Sequence, residues 1–199
     1  MSNVVTYYFT PVSPWSYLGH ERLLTLTAKH GATIEPRVMD LGKVFPISGG
    51  LPLPKRSPQR QAYRLVELAR WRDALGMPIN LQPKFAASSG DLATRWILAA
   101  LEGGTAPGLK LAGAIMRSRW AEEGDIADEG TLAALAHASG LDPQMLASRA
   151  AAPEIAARYE QQTQQAIDAG VFGAPWYVCE GEPFWGQDRL DFLARKLAK

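Results

Sequence analysis

A strand followed at once by a helix start is the feature that most constrains how this chain folds. Residues 4–9 are all β-branched or aromatic, which predicts a strand. Ser13 and Pro14 then mark a helix start, because serine is a favoured N-cap and proline suits the first helical position. We expect this helix to run to Lys29 and a second strand to cover residues 33–39. Such a β-α-β unit implies parallel strands joined by a right-handed crossover.

This helix start carries hydroxyl groups at two positions that suit chemistry. A helix N-terminus offers unpaired N–H groups and a partial positive charge, which favour an anion. Where proteins place Cys-x-x-Cys at such a start, the thiolate is stabilised, but here Ser13 and Ser16 occupy those positions. Because Cys179 is the only cysteine, no internal disulfide can form. Ser13 could donate a hydrogen bond to the thiolate of a ligand, or it could simply cap the helix.

The composition is that of an ordinary globular protein. The chain has 199 residues, 47% of them hydrophobic, and a net charge of +1 from 21 basic and 20 acidic side chains. This balance gives no electrostatic basis for binding nucleic acid or an anionic membrane. No apolar run is long enough to span a bilayer, and the N-terminus has no secretory signal pattern. We therefore expect a cytoplasmic protein, and the scattered histidines predict no metal site.

The middle of the chain divides into a loop and a block of helices. Residues 41–58 are rich in proline and glycine yet keep several apolar side chains. We interpret them as a loop folded over a pocket, with a purely structural excursion as the alternative. Beyond them, helical periodicity recurs without any strand pattern as far as residue 152. The predicted helices cover residues 59–75, 91–101, 106–121 and 129–138, and a short one starts at Asp142-Pro143.

The C-terminal part returns to strands. Residues 153–170 predict a long helix, and Gly173-Ala174-Pro175 stand directly before the strand 176–179. A hairpin turn at 180–182, a short strand at 183–185, a turn at 186–189 and a last helix over 189–199 complete the chain. Asp188 is a candidate cap for that last helix.

The order of elements is β-α-β, a helical block, then α-β-β-α. Without the block it is the order of thioredoxin. We therefore predict an α/β protein with a thioredoxin-like fold and an inserted all-helical domain. The insert would be residues 59–152, and residues 1–58 and 153–199 would form a discontinuous thioredoxin-like domain.

Pro175 stands where the thioredoxin order has a cis-proline before its third strand, facing the head of the first helix. The residue before it, here Ala174, would then offer its backbone to an extended peptide. The alternative is an ordinary trans-proline in a loop, which is much commoner.

Several segments together resemble a known family. They are residues 13–18, 120–128, 171–175 and 184–190. In this order and spacing they resemble the 2-hydroxychromene-2-carboxylate isomerases, which form a group with the kappa-class glutathione transferases and the DsbA-type oxidoreductases. The resemblance extends over essentially the whole chain.

The resemblance implies a glutathione cofactor and assigns residues to it. Ser13 would be the catalytic residue that hydrogen-bonds and activates the glutathione sulfur. Ala174, before Pro175, would pair through its backbone with the cysteinyl part. The γ-glutamyl end would be held by Trp185, Gly186, Gln187 and Asp188. The Asp188 carboxylate would face the ammonium group, alone or in addition to capping the last helix.

The resemblance also implies a small acid derived from an aromatic compound as the substrate. The reaction would convert 2-hydroxychromene-2-carboxylate to trans-o-hydroxybenzylidenepyruvate by reversible addition of the glutathione thiolate, so glutathione would not be consumed. Lys55, or alternatively Lys43 or Lys84, would hold the substrate, and Phe85 would line its pocket. The family further implies a cytoplasmic homodimer that acts in the breakdown of aromatic compounds.

Two other functions stay open on the sequence. A kappa-type glutathione transferase would use the same site but join glutathione permanently to an electrophile. A non-catalytic thioredoxin-like module would bind a peptide at Pro175. Disulfide exchange of the DsbA type is excluded, because Ser13 and Ser16 cannot form a disulfide.

Overall fold

The computed structural model describes residues 3–198. The strands are β1 (Val4–Phe9), β2 (Thr33–Val38), β3 (Trp176–Cys179) and β4 (Glu182–Trp185). The helices are α1 (Pro14–Lys29), α2 (Leu41–Ser48), α3 (Pro58–Leu75), α4 (Asp91–Glu102), α5 (Thr105–Ala121), α6 (Glu129–Ala138), α7 (Pro143–Ala150), α8 (Pro153–Asp168) and α9 (Leu190–Leu197). Short 3-10 turns cover Leu53–Lys55 and Gln187–Arg189. The predicted helices are thus present, with ends displaced by a residue or two, and Lys199 lies outside the described residues.

The strands form one mixed sheet in the order β2-β1-β3-β4. β1 runs parallel to β2 and antiparallel to β3, with Tyr8 opposite Trp176. β2 lies at the edge, which accommodates Pro36, a residue without a backbone donor. The hairpin from β3 to β4 turns through Glu180 at φ 50° and Gly181 at φ 77°, and a type I′ turn requires this pair of positive angles. The predicted thioredoxin-like fold is confirmed.

The prediction of a loop over residues 41–58 is wrong, because α2 occupies its first half. Asp40 caps α2 by accepting a hydrogen bond from Gly42 N at 2.7 Å, and Gly49 ends it at φ 75°. Pro46 lies near the end of this short helix, where its missing N–H removes little of the hydrogen-bond ladder.

Some of the apolar side chains of this segment have a structural role. Val44 of α2 is 1% exposed and joins a small core cluster with Met39, Val171 and Trp176. Burial of these side chains stabilises α2 against the end of α8 and the start of β3. Ile47, on the same helix, is 68% exposed.

The main hydrophobic core runs without a break from the sheet into the helical block. β1 contributes Tyr7 and Phe9, α1 contributes Leu18, and the block contributes Trp96 and Ile115 to one cluster of fully buried side chains. Each such aliphatic or aromatic side chain stabilises the fold by about 1.5–3 kcal/mol. The helical block is therefore packed against the sheet and α1 through one shared core. That residues 59–152 form a domain of their own stays a prediction. The predicted domain ends at residues 1 and 199 lie outside the described residues. Within residues 3–198 no helix is both long enough and apolar enough to cross a membrane.

Two consecutive hydrogen bonds through the buried His20 side chain cross this core. His20 Nε2 lies 2.9 Å from Leu109 O, which can only accept, so Nε2 carries the proton. His20 Nδ1 then accepts from the Tyr7 hydroxyl at 3.3 Å. Burial lowers the pKa of His20 to about 4, against an opposing contribution from the bond to Leu109. His20 is therefore a neutral structural side chain that ties α1 to α5.

We predict that acid destabilises the fold through His20. The pKa falls from 6.5 to about 4 on folding, so in that window the unfolded chain binds a proton that the folded chain does not. The stabilisation is complete above the higher value and is lost as the pH falls towards the lower one. Between pH 7 and pH 4.5 this group should lower the free energy of unfolding by roughly 2 kcal/mol. Urea unfolding of the wild type and His20→Gln at both pH values should show that the free energy of unfolding falls less in the variant on going from pH 7 to pH 4.5. An equal fall in both proteins would contradict the prediction.

Candidate active site

Ser13 is the N-cap of α1, as predicted. Its backbone is extended, at φ −90° and ψ 122°, and its Oγ accepts a hydrogen bond from Ser16 N at 3.2 Å. The same hydroxyl donates to Ala174 O at 3.2 Å. Ser13 is 6% exposed, so its hydroxyl lies at the positive end of a sixteen-residue helix with little competition from water.

The bond from Ser13 joins the two segments that the sequence analysis had singled out. The Ala174–Pro175 peptide bond is cis, as the thioredoxin order predicts, and Ala174 is 7% exposed. Pro175 O accepts from Gly186 N at 2.9 Å, which brings the turn after β4 to the same place. Within residues 3–198 the backbone N–H of Ala174 has no acceptor. That donor is available to an extended peptide, because buried backbone groups normally have a partner.

The turn at residues 186–189 presents one carboxylate. Asp188 is half exposed, and its Oδ2 pairs with the guanidinium of Arg189 at 2.6 Å. α9 begins at Leu190 without a side-chain cap. The expectation that Asp188 caps this helix is therefore wrong, because the 3-10 turn places its carboxylate beside Gly186 and Arg189.

Gln187 supports this turn from inside. Its side chain is 1% exposed, and Arg22 of α1 donates to Gln187 O at 3.2 Å and also to Gln187 Oε1. α1 approaches closely because Gly19 has no Cβ. Arg22 was not predicted from the sequence, although a glycine inside a helix, which costs stability in isolation, was a signal for such close packing.

Aromatic side chains border the cis-proline. Phe172 lies edge-on to both Trp176 and Trp185, with ring centroids 4.7 Å apart in each pair. Trp185 is 52% exposed, and Gly173 lies against its indole nitrogen. The buried Trp176 Nε1 has no hydrogen-bond partner among the described residues. Trp185 thus forms an exposed aromatic wall beside the turn that carries Asp188.

The residues that were predicted to bind the substrate lie less close together than Ser13 and Ala174 do. Lys55 is exposed and makes no ion pair among residues 3–198. The ammonium of Lys84 lies 5.1 Å from the ring centroid of half-buried Phe85. Lys43 pairs with Glu160, so its charge is already compensated. None of these contacts joins the lysines to Ser13, and their substrate role stays a prediction.

Phe85 belongs to a segment that reaches the head of α1. Arg119 of α5 holds this segment by donating to Ala86 O at 2.7 Å and Ser88 O at 3.1 Å. Further along, Gly90 packs against Val12, the residue before Ser13. The segment therefore lies between the helical block and the candidate site. Across residues 3–198 no group of three or more His, Cys, Asp or Glu side chains is arranged to hold a metal ion.

The comparisons with known proteins agree on one family. The family model for a DSBA-like thioredoxin domain matches residues 4–198. A 2-hydroxychromene-2-carboxylate isomerase from Sphingobium xenophagum is 30% identical over 198 residues, which is 97% of both chains. The protein of the same name from Pseudomonas putida is 27% identical over 98% of this chain and 95% of its own. A solved structure of a 2-hydroxychromene-2-carboxylate isomerase superimposes with a TM-score of 0.83 at 26% identity, over 98% of this chain and 94% of its own.

We predict that Gly19→Ala disturbs the turn at residues 186–189. The new Cβ would stand 2.8 Å from Tyr177 Oη and 2.9 Å from Gln187 Cβ, so α1 or the turn must move. The free energy of unfolding should fall by about 1–3 kcal/mol in urea. Gly103→Ala is the matched control, because its Cβ would meet Ala100 O at 3.4 Å, and its effect should stay within about 0.5 kcal/mol. Equal effects of the two substitutions would contradict the close packing.

Proposed function

The chain belongs to the DSBA-like thioredoxin family, in the group of the 2-hydroxychromene-2-carboxylate isomerases, and on this premise we propose that it is a glutathione-dependent isomerase. Its substrate would be an acid derived from an aromatic compound, 2-hydroxychromene-2-carboxylate in particular, with trans-o-hydroxybenzylidenepyruvate as the product. The observation that carries the proposal is the Ser13 hydroxyl at the head of α1, bonded to Ala174 O beside cis-Pro175.

The thiol chemistry of the wider family is not possible for this chain's own residues. Ser13 and Ser16 replace the sulfur atoms that disulfide exchange needs. Cys179 lies in β3, 0% exposed, and burial raises the pKa of its thiol. A buried thiol with a raised pKa is a poor nucleophile, so a reactive sulfur has to come from a ligand.

The residues at the site fit glutathione by their chemistry. Glutathione is an extended peptide with one thiol, carboxylates and an ammonium group. The free N–H of Ala174 suits its backbone, and the helix N-terminus at Ser13 suits a negative sulfur. The Asp188 carboxylate, which pairs with Arg189 only through Oδ2 within the described residues, suits the ammonium group through Oδ1, with Trp185 and Gly186 beside it. Gln187 would act through the position of the turn, because its side chain is turned inward to Arg22.

When bound, glutathione supplies a sulfur nucleophile that can add reversibly to a conjugated double bond. Ser13 would turn its hydroxyl hydrogen from Ala174 O to the sulfur and stabilise the negative charge there. The partial positive charge of α1 would act in the same direction. Lys55 and Phe85 remain the proposed substrate contacts. A homodimer, a cytoplasmic location and a role in the breakdown of aromatic compounds complete the proposal, by similarity to the family.

We predict that Ser13→Ala lowers kcat for the isomerisation by about 100-fold, because one aimed donor to a developing negative charge is worth this much. Ser16→Ala is the matched control: its hydroxyl is buried in the same turn of α1 and has no hydrogen-bond partner within the described residues. Ser13→Thr keeps the hydroxyl and should retain part of the rate. The assay follows the absorbance of 2-hydroxychromene-2-carboxylate at fixed glutathione, well below the melting temperature, since losing the cap costs about 1 kcal/mol.

The same assay separates the isomerase from a transferase. Mass spectrometry of the glutathione pool after many turnovers should show free glutathione unchanged, whereas accumulating conjugates would identify a transferase. If Ser13→Ala and Ser16→Ala lose equal activity, Ser13 is not the sulfur ligand. No turnover and no glutathione binding in the wild type would leave the non-catalytic module.

We also predict that Asp188→Asn weakens glutathione binding by about 10-fold, because a charge-assisted hydrogen bond to an ammonium group is worth about 1.5–3 kcal/mol. Asp191→Asn, which removes an exposed carboxylate from the first turn of α9, is the control and should leave the affinity unchanged. Calorimetry should repeat both titrations with a glutathione analogue that lacks the ammonium group. Asp188→Asn should not weaken that analogue further; an equal loss for both ligands would contradict the assigned contact.

A further inference from the structure

The first half of α3 carries positive charge that nothing compensates. Arg60 and Arg64 lie one helical turn apart on α3, Arg56 lies in the extended chain just before it, and no carboxylate pairs with any of the three within residues 3–198. The second half of the helix differs. There Arg70 pairs with Glu67, and Arg72 pairs with Asp73 at 2.8 Å. One helix therefore pairs its distal arginines and leaves its proximal arginines without anions.

Arg64 is the most constrained of these arginines. It is half-buried, and burial together with the charge of Arg56 lowers the pKa of its guanidinium. The guanidinium lies 5.8 Å from the ring centroid of Trp120, and it has no hydrogen-bond acceptor in the described part of the chain. A partly desolvated cation is costly without an anion, even over an aromatic ring.

The neighbouring unsatisfied groups are donors too. Trp120 is 3% exposed, and its Nε1 has no acceptor among residues 3–198. Arg119, also 3% exposed, has an unpaired Nε. Buried polar groups are normally hydrogen-bonded, so a cluster that lacks only acceptors suits a ligand that supplies them. A carboxylate supplies acceptors and the missing negative charge together.

The cluster is linked to the candidate active site through the segment between α3 and α4. Asn80 N donates to Trp120 O at 2.6 Å, and Pro78 O in the same segment accepts from Tyr17 Oη at 2.8 Å. Tyr17 is one turn along α1 from Ser13. A single short segment thus contacts both Trp120 and the helix that Ser13 caps.

We propose that Arg64, assisted by Arg60 and Arg56, binds the carboxylate of the acidic substrate. This inference rests on the proposed function and adds to Lys55 and Phe85 a side chain that recognises the acid. A guanidinium fork matches a carboxylate with two parallel hydrogen bonds, which a lysine cannot make. Lys43 is already paired with Glu160, whereas Arg64 keeps all its donors free within the described residues. The ligand class is a planar aromatic monocarboxylate.

The test measures acid recognition without using turnover. Calorimetry compares trans-cinnamate with cinnamamide, its neutral amide of the same shape, on the full chain. The wild type should prefer the acid, and Arg64→Gln should lose at least about 10-fold in affinity for cinnamate with little change for the amide. Arg70→Gln is the matched control, because it removes one cation from the same helix but from an existing pair with Glu67. It should keep the preference.

The outcomes separate this inference from the proposed function. If the wild type has no preference for the acid, or Arg64→Gln keeps the full preference, the inference is overturned. If Arg64→Gln does not fold, Arg60→Gln at the exposed neighbouring position tests the same cluster, and a loss of about 3-fold in cinnamate affinity is expected, with no loss overturning the inference. An enzyme that lacks isomerase activity but shows an Arg64-dependent preference would refute the proposed function and leave the carboxylate site standing.

Discussion

The candidate site depends on the hydrogen bond from Ser13 to Ala174 O, and the sheet makes that contact possible. β1 and β3 are antiparallel, with Tyr8 opposite Trp176, so the chain that leaves β1 and the chain that enters β3 lie at the same end of the sheet. β2 runs parallel to β1 and also ends there, which places Asp40 and the start of α2 nearby. Residues far apart in the sequence meet at this end of the sheet because of the order and direction of its strands. Ligand sites at the carboxyl ends of parallel strands arise for the same topological reason.

Hydroxyl groups in the positions of thiols change what the helix N-terminus can do. A thiolate there would be stabilised by the helix and could form a disulfide. The Ser13 hydroxyl stays neutral and keeps one hydrogen to donate, at present to Ala174 O. The electrostatic field of α1 is therefore left available for a negative charge that the chain does not itself provide. The same scaffold is thus suited to holding a foreign sulfur instead of cycling its own.

Local patterns in the sequence predicted most of the fold because its helix ends carry strong signals. Ser13-Pro14 and Asp142-Pro143 each place a capping side chain before a proline, and both helices begin as expected. The failure at residues 41–58 has a local cause as well: the loop was predicted from the proline and glycine content of the segment, although Asp40 and Gly49 cap α2 at its two ends.

The candidate site was predictable only where a motif is contiguous. Ser13 and the residues around Pro175 stand in such motifs, whereas Arg22 meets Gln187 across the fold and Arg64 meets Trp120 between separate helices. A sequence does not state which polar side chain on a helix is buried by a distant partner. Arg64 even has Glu67 three residues further along α3, and the sequence does not show that this carboxylate pairs with Arg70 instead.

The two parts of the chain are suited to separate tasks. The strands and their flanking turns supply Ser13, Ala174 and Asp188, which suit a peptide cofactor of constant structure. The helical block supplies Arg64 and Trp120, and the segment that carries Phe85 lies between the two parts. Because these side chains come from different elements, the proposed carboxylate site could change with the block while the hydroxyl at the head of α1 keeps its geometry. On that proposal, a chain can retain the strand ends that carry Ser13 and Ala174 and select its substrate through helices that the thioredoxin order does not contain.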